Sequence, residues 1–286
     1  MLIHEILQNI EERDKDVLTP VLTYGDLRIK HDDLFEVFGS RGGKARSCYA
    51  ICKKGIEEGF KGFSTAGSKQ SPQIQIASFM AKEFGVPLHA HTPSGDYGYE
   101  IEIALKNGCE LFQHRPGYNN VIIARSREDA KENGFLEIPF GMECWEAVFQ
   151  TATQVKSLVN LEGIKRIVMP VGSGMSLSGV LWGLTYYGLT DIEILGIVVG
   201  ADPSKRLEKY APLGWDYMVE FKKANYDYHD YAPNLLKIGE DEVIIDPIYE
   251  AKCLDFMDFG RDEILWSVGI RDGVCRDNSK EFIICK

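Results

Sequence analysis

Along this chain, short runs of continuous apolar residues alternate with stretches whose apolar positions recur every three or four residues. From residue 45, Ala45, Cys48, Tyr49, Cys52 and Ile56 fall on one face of a helix. "GFKGFSTAGSKQ" reads as a short strand turning through small polar residues into a second helix, where Ile74, Ala77, Ala81 and Phe84 share a face. Gly85 stands at its stop. "VPLHAHT" and "CELFQH" read as strands around a helical "YEIEIALKNG". A helix near 143–160 carries Trp145, Val148, Phe149, Ala152 and Val155 on one side. "IKRIVMPVGSGMSLSGVLWGL" is a buried strand, a glycine turn and an apolar helix, and "IEILGIVVGAD" supplies another strand. The alternation predicts an α/β fold in which open, mostly parallel sheets are flanked by helices. Ligands in such folds gather beyond the carboxyl ends of strands, which draws attention to the turns at 64–69 and 171–176.

Composition changes this picture little. Hydrophobic residues make up 44% of the 286 and charged residues 26%, as in an ordinary globular protein. The net charge of −11 disfavours a surface built to wrap nucleic acid. Seven cysteines, without a C-x-x-C pair or zinc-finger spacing, predict free thiols and a cytoplasmic setting. The opening "MLIHEILQNIEERD" lacks the basic start and long apolar core of a signal peptide, and no apolar run is long enough to span a bilayer.

Two stretches carry candidate chemistry. In "PVGSGMSLSG" a strand ends and Gly172, Ser173, Gly174, Met175 and Ser176 lead into a helix, exposing N–H groups where the helix start favours an anion. A phosphate cradle and an empty strand-to-helix turn both fit. A dinucleotide fingerprint does not, because Leu177 stands where it needs glycine. In "GSRGGKARS" two glycines deliver Lys44 to a helix start. A nucleotide P-loop fails there, since Phe38 and Ala45 replace the required glycine and hydroxyl residue. A lysine presented by glycines, with a separate phosphate cradle, suits pyridoxal 5'-phosphate: the lysine forms a Schiff base and the loop holds the phosphate. "DPIYEAK" offers Tyr249 and Glu250 near the ring, or is simply a proline-started helix with an acidic first turn.

These segments together resemble the fold-type II (tryptophan synthase β-like) pyridoxal phosphate enzymes, and within them the 1-aminocyclopropane-1-carboxylate deaminase and D-cysteine desulfhydrase family. "LTPV" matches its early Thr-Pro, and "IKHDDLFEVFGSRGGKARS" its lysine segment. "TAGSKQSPQIQIA" is similar to the segment that grips the substrate carboxylate and the cofactor face. "PVGSGMSLSG" resembles its phosphate loop, and "DPIYEAK" its late Asp-Pro motif. The resemblance implies Lys44 as the Schiff-base residue and Ser68 as the carboxylate binder. Tyr249 becomes the acid/base or nucleophile, and Glu250 the partner of the pyridine nitrogen, which it would keep protonated. A second tyrosine is expected from "NYDYHDY", where Tyr226, Tyr228 and Tyr231 compete; Tyr228 is carried forward as the candidate. It also implies a homodimer and two domains, residues 46–151 and residues 1–45 with 152–286, with the cofactor in the cleft between them.

Departures from the family pattern bear on the substrate. Lys69 replaces an asparagine and Gln70 a histidine; Lys69 could meet the cofactor's phenolate, a larger anionic substrate, or solvent. Met175 replaces a glycine of the phosphate loop and narrows it. "SVGI" at 267–270 replaces an "HTGG"-like turn. The leading expectation is a deaminase or lyase of a small amino acid that releases ammonia and a 2-keto acid. The alternatives are the same machinery acting on an amino-acid group of a larger molecule, such as a modified nucleobase, and a non-catalytic pyridoxal phosphate binder. His89 and His91 share one side of a strand but lack a third ligand by spacing, so no metal is expected. Cys144 reads as a packed thiol rather than a nucleophile.

Overall fold

The computed structural model describes residues 3–13, 17–69, 72–271 and 281–283. The chain divides into two compact units, residues 36–147 and residues 1–35 with 148–286.

The unit of residues 36–147 is built on a four-stranded parallel sheet in the order Glu110–His114, Leu88–Pro93, Phe63–Ala66, Leu136–Ile138. Phe63–Ala66 is buried along its whole length, which is why it reads as a continuous run of apolar and small residues. Helices Gly43–Glu57 and Pro72–Phe84 form where the 3.6-residue pattern predicts them. In the first, Ala45, Cys48 and Cys52 are buried, whereas Tyr49 and Ile56 are half-buried. The second ends at Gly85, whose φ of +66° is the left-handed stop expected of it.

Helix Asn119–Asn133 and strand Leu136–Ile138 were not foreseen. The helix buries only Ile122, Ser126 and Ala130, a stripe one residue wide. Part of its attachment is polar: the Ser64 hydroxyl donates to the Ser126 carbonyl at 3.0 Å. Apolar periodicity cannot reveal a helix held in that way.

The other unit centres on a six-stranded sheet: Val21–Tyr24, Leu27–His31, Glu263–Ser267, Arg166–Val171, Glu193–Val198, Val219–Lys223. The first pair is antiparallel and the rest are parallel. Arg166–Val171 lies inside the sheet and is buried from Ile167 onward. Helix Met175–Tyr186 follows it and packs closely on 148–158: a Cβ at Gly179 would lie 2.5 Å from Thr151 Cβ and 2.7 Å from the Val148 carbonyl oxygen. That contact fixes the start of the helix, and with it the glycine turn. Of the face expected near 143–160, Val148, Phe149, Ala152 and Val155 are buried, but Trp145 is exposed.

Among the described residues, no helix is long and apolar enough to cross a membrane.

Candidate functional site

Within residues 36–147, Lys44 is the second residue of helix Gly43–Glu57 and is half-buried. The residue before the helix, Gly42, has φ +93°, a conformation that L side chains rarely adopt. Its carbonyl accepts the N–H of Ala45 at 2.9 Å and of Arg46 at 3.2 Å, so the helix starts abruptly and Lys44 sits in its first turn. The glycine is therefore required by the backbone itself.

Ser68 and Lys69, both half-buried, occupy the turn after strand Phe63–Ala66, at its carboxyl end. The Gly67 N–H donates to the His91 carbonyl at 3.0 Å and ties this turn to the neighbouring strand. The Lys69 ammonium lies over Gly95, where a Cβ would come within 2.7 Å of Nζ. Gln70 lies outside the described residues.

His89 and His91 face a common set of groups. His89 Nδ1 meets the Asp129 carboxylate at 2.9 Å, and His91 Nδ1 meets His114 Nε2 at 2.9 Å. The two nitrogens of His91 thus face different partners, and no three such groups among the described residues could hold a metal. Burial lowers the pKa of His91 and His114. Cys144 is half-buried, and burial pushes its thiol up, away from the reactive thiolate.

In the other unit the turn Gly172, Ser173, Gly174 opens onto Met175 and Ser176, the first residues of helix Met175–Tyr186. Gly174 has φ +87°, and no side chain caps the helix, so its first N–H groups keep their capacity for an anion. The Met175 side chain is buried with Leu7, Val148 and Phe149. It does not narrow the turn, as the replacement of glycine suggested; only its backbone belongs there.

Tyr249 lies against this turn. A Cβ at Gly172 would be 3.0 Å from Tyr249 Cε1, so a side chain there would fill the space the ring uses. The tyrosine is presented by Asp246, whose Oδ1 accepts the N–H groups of Ile248 at 2.9 Å and Tyr249 at 3.0 Å. Of the three competing tyrosines, Tyr228 brings its hydroxyl to 3.1 Å from that of Tyr249. Tyr226 packs against the core, and Tyr231 is exposed. Burial, then Tyr228, holds the Tyr249 phenol well above its ordinary range, while Arg271, whose guanidinium lies 5.1 Å from the ring centre, pulls it down.

Glu250 begins a 3₁₀ helix, Glu250–Phe256, and is fully buried. Its Oε1 accepts the N–H groups of Val268 at 2.7 Å and Gly269 at 3.2 Å, so this carboxyl shapes the "SVGI" turn. Burial, then Asp246, raises its pKa. Sequence reasoning passed over Asp246, Lys252 and Arg271. The first two lay in plain view at the ends of "DPIYEAK", a heptapeptide read only for its centre.

Comparison with known proteins bears on the fold. No family model matches the chain. A Thermotoga maritima protein provisionally named 1-aminocyclopropane-1-carboxylate deaminase is 24% identical over 174 residues, 57% of this chain and 55% of that one. The match thus spans about half the length of that relative. The crystal structure of an ACC deaminase homologue superposes with a TM-score of 0.74 at 20% identity, covering 88% of this chain and 89% of that one. Diaminopropionate ammonia lyase of Escherichia coli gives 0.66 at 14% identity, with 94% and 89% covered. Threonine deaminase isoform 2 of Solanum lycopersicum gives the same values. The chain has the fold of these proteins. The fold-type II resemblance read from its motifs therefore holds for the architecture as a whole.

Proposed function

We propose that the protein is a pyridoxal 5'-phosphate-dependent deaminase or lyase of a small amino acid, of the 1-aminocyclopropane-1-carboxylate or D-cysteine type, releasing ammonia and a 2-keto acid. The observation that carries this reading is the meeting of Tyr249 with the glycine turn: the aromatic ring fills the space that a side chain at Gly172 would need. A hydroxyl pair, a buried carboxyl and an uncapped helix start are thereby gathered in one unit.

The residues fit the cofactor. Gly172–Ser176 would hold its phosphate through backbone N–H groups, and Lys44 would carry its aldehyde carbon covalently. Bound, the pyridine ring supplies an electron sink for the pair left behind when a bond to the amino-acid carbon breaks. Glu250 would pair with the ring nitrogen and keep it protonated, the positive charge of the ring offsetting the burial that raises the carboxyl's pKa. Ser68 would bind the substrate carboxylate. Tyr249, held protonated, suits the donor of a proton to the carbon skeleton, with Tyr228 as the hydroxyl that re-supplies it.

The test is spectroscopic. Purified protein given pyridoxal phosphate should acquire a visible band that changes on addition of a small amino acid, with keto acid released. Protein that never acquires the band would sink the proposal.

One observation favours a larger, anionic substrate, such as an amino-acid group on a modified nucleobase. Lys69, whose ammonium lies over Gly95, directly follows the proposed carboxylate binder Ser68 in the chain. Under that reading Lys69→Asn shifts preference towards free neutral amino acids, and an unchanged preference removes it.

A further inference from the structure

The Tyr228–Tyr249 contact joins two segments of different character. Tyr249 stands at the head of the 3₁₀ helix Glu250–Phe256, anchored through Asp246. Tyr228 lies in an irregular turn, and its side chain is 42% exposed, so packing around that side chain cannot by itself fix its hydroxyl. The turn has internal bonds of its own, with the Asp230 N–H on the Asp227 carbonyl at 3.1 Å and the Asp227 N–H on Asp230 Oδ2 at 3.3 Å. These set its shape but not its height above Tyr249.

Lys252 supplies that missing constraint. It is fully buried, and its Nζ donates to the carbonyls of Asp227 at 2.7 Å and Tyr228 at 3.2 Å. Its own N–H donates to the Tyr249 carbonyl at 3.2 Å. A single turn of chain thus carries Tyr249 at one end and, at the other, the cation that grips the backbone of Tyr228. Burying an ammonium is expensive, and a methionine would fill the same volume without that cost. The charged groups facing it are Asp230, Asp246 and Asp227, which favour its charge, and Arg271, which opposes it; burial outweighs them and lowers its pKa.

We infer that Lys252 is a positioning residue, holding the 227–228 backbone so that the Tyr228 hydroxyl stays within hydrogen-bonding reach of Tyr249. The catalytic consequence rests on the function proposed above; the positioning itself does not.

Lys252→Met in the full chain tests it, read first by amide hydrogen exchange. The expected result is exchange roughly tenfold or more faster in residues 225–231, with strand Arg166–Val171 unchanged. Unchanged protection at 225–231, or a loss spread evenly over the unit, overturns the inference. If Lys252→Met is not recovered folded, Lys252→Gln, which keeps one donor, carries the same comparison. With a substrate found in the amino-acid screen, Lys252→Met should lower kcat on the order of tenfold at unchanged KM. It should cost nothing further in a Tyr228→Phe background, because both changes act through one hydroxyl. Additive losses would contradict it. A protein that never acquires the cofactor band would remove the proposed function and leave the exchange result standing.

Discussion

Lys30 and Lys44 lie fourteen positions apart in one segment of sequence, and the fold treats them in opposite ways. Lys30 is fully buried on strand Leu27–His31. Its ammonium donates to the Thr19 carbonyl at 2.5 Å, the Thr19 hydroxyl at 2.6 Å and Gln154 Oε1 at 3.3 Å. Asp32 Oδ1 lies 3.7 Å away, and Trp266 presents its ring at 5.8 Å. Lys44 is half-buried in the first turn of a helix whose start only a glycine permits. The first lysine is surrounded by groups that would be orphaned without it. The second is presented by a backbone that holds its shape whichever side chain stands there. Lys30 is held by its partners, whereas Lys44, proposed to carry the cofactor, is placed by the backbone of its helix start.

The sharpest way to break the contrast is to remove each ammonium. Lys30→Ala should destabilise the protein by about 3–5 kcal/mol, because the Asp32 carboxylate and the Thr19 and Gln154 oxygens are left buried without their cation. Urea unfolding measures this, and a loss below about 1 kcal/mol would place Lys30 in the same class as Lys44. Asp32→Asn attacks the same network from its other side. Asp32 Oδ1 accepts from the Thr19 hydroxyl at 2.7 Å, and Oδ2 from the Trp266 indole at 3.2 Å. With one oxygen exchanged for a donor, a smaller loss of about 1–3 kcal/mol is expected in the same assay. Lys44→Ala should change stability by less than about 1 kcal/mol.

His91 adds a third way to bury a basic group. Lys30 keeps its charge by gathering partners, whereas burial holds His91 and His114 below the ordinary histidine value. The unfolded chain then binds protons before the folded one does. Stability contributed here is present above about pH 6.5 and is lost as pH falls from there towards the folded values. Asp129, which burial raises but the hydrogen bonds to His89, Ser64 and His91 lower on balance, adds loss of the same sign further down, below its ordinary value of 3.8. Urea midpoints measured across pH 7 to 5 should fall for the native sequence and fall less for His91→Gln. Equal slopes would remove His91 from the account.

The same contrast explains what could be read from residues alone. Strands such as Arg166–Val171 were legible because a continuous apolar run has few other uses. The glycine turns before helices Gly43–Glu57 and Met175–Tyr186 were legible because glycine in such a segment restricts the backbone it can take. Helix Asn119–Asn133 was not, since its buried stripe of Ile122, Ser126 and Ala130 has a serine at its centre and is one residue wide. Nor was the choice of Tyr228 over Tyr226 and Tyr231. All three occur in one aromatic run, and only the fold shows which hydroxyl reaches Tyr249. Glu250 was chosen as a partner for the cofactor ring, but its bonds to Val268 and Gly269 depend on a turn that is remote in sequence. The roles of Asp246 and Lys252 follow from backbone carbonyls and N–H groups, which a sequence does not display.

The proposed function places the cofactor on Lys44. Incubating the protein with pyridoxal 5'-phosphate, reducing with borohydride and sequencing the digest by mass spectrometry tests it most directly. One dominant label is expected, on the peptide at Lys44, and it should disappear in Lys44→Ala without loss of folded protein. A label on Lys69, labels scattered over surface lysines, or no label at all would contradict it.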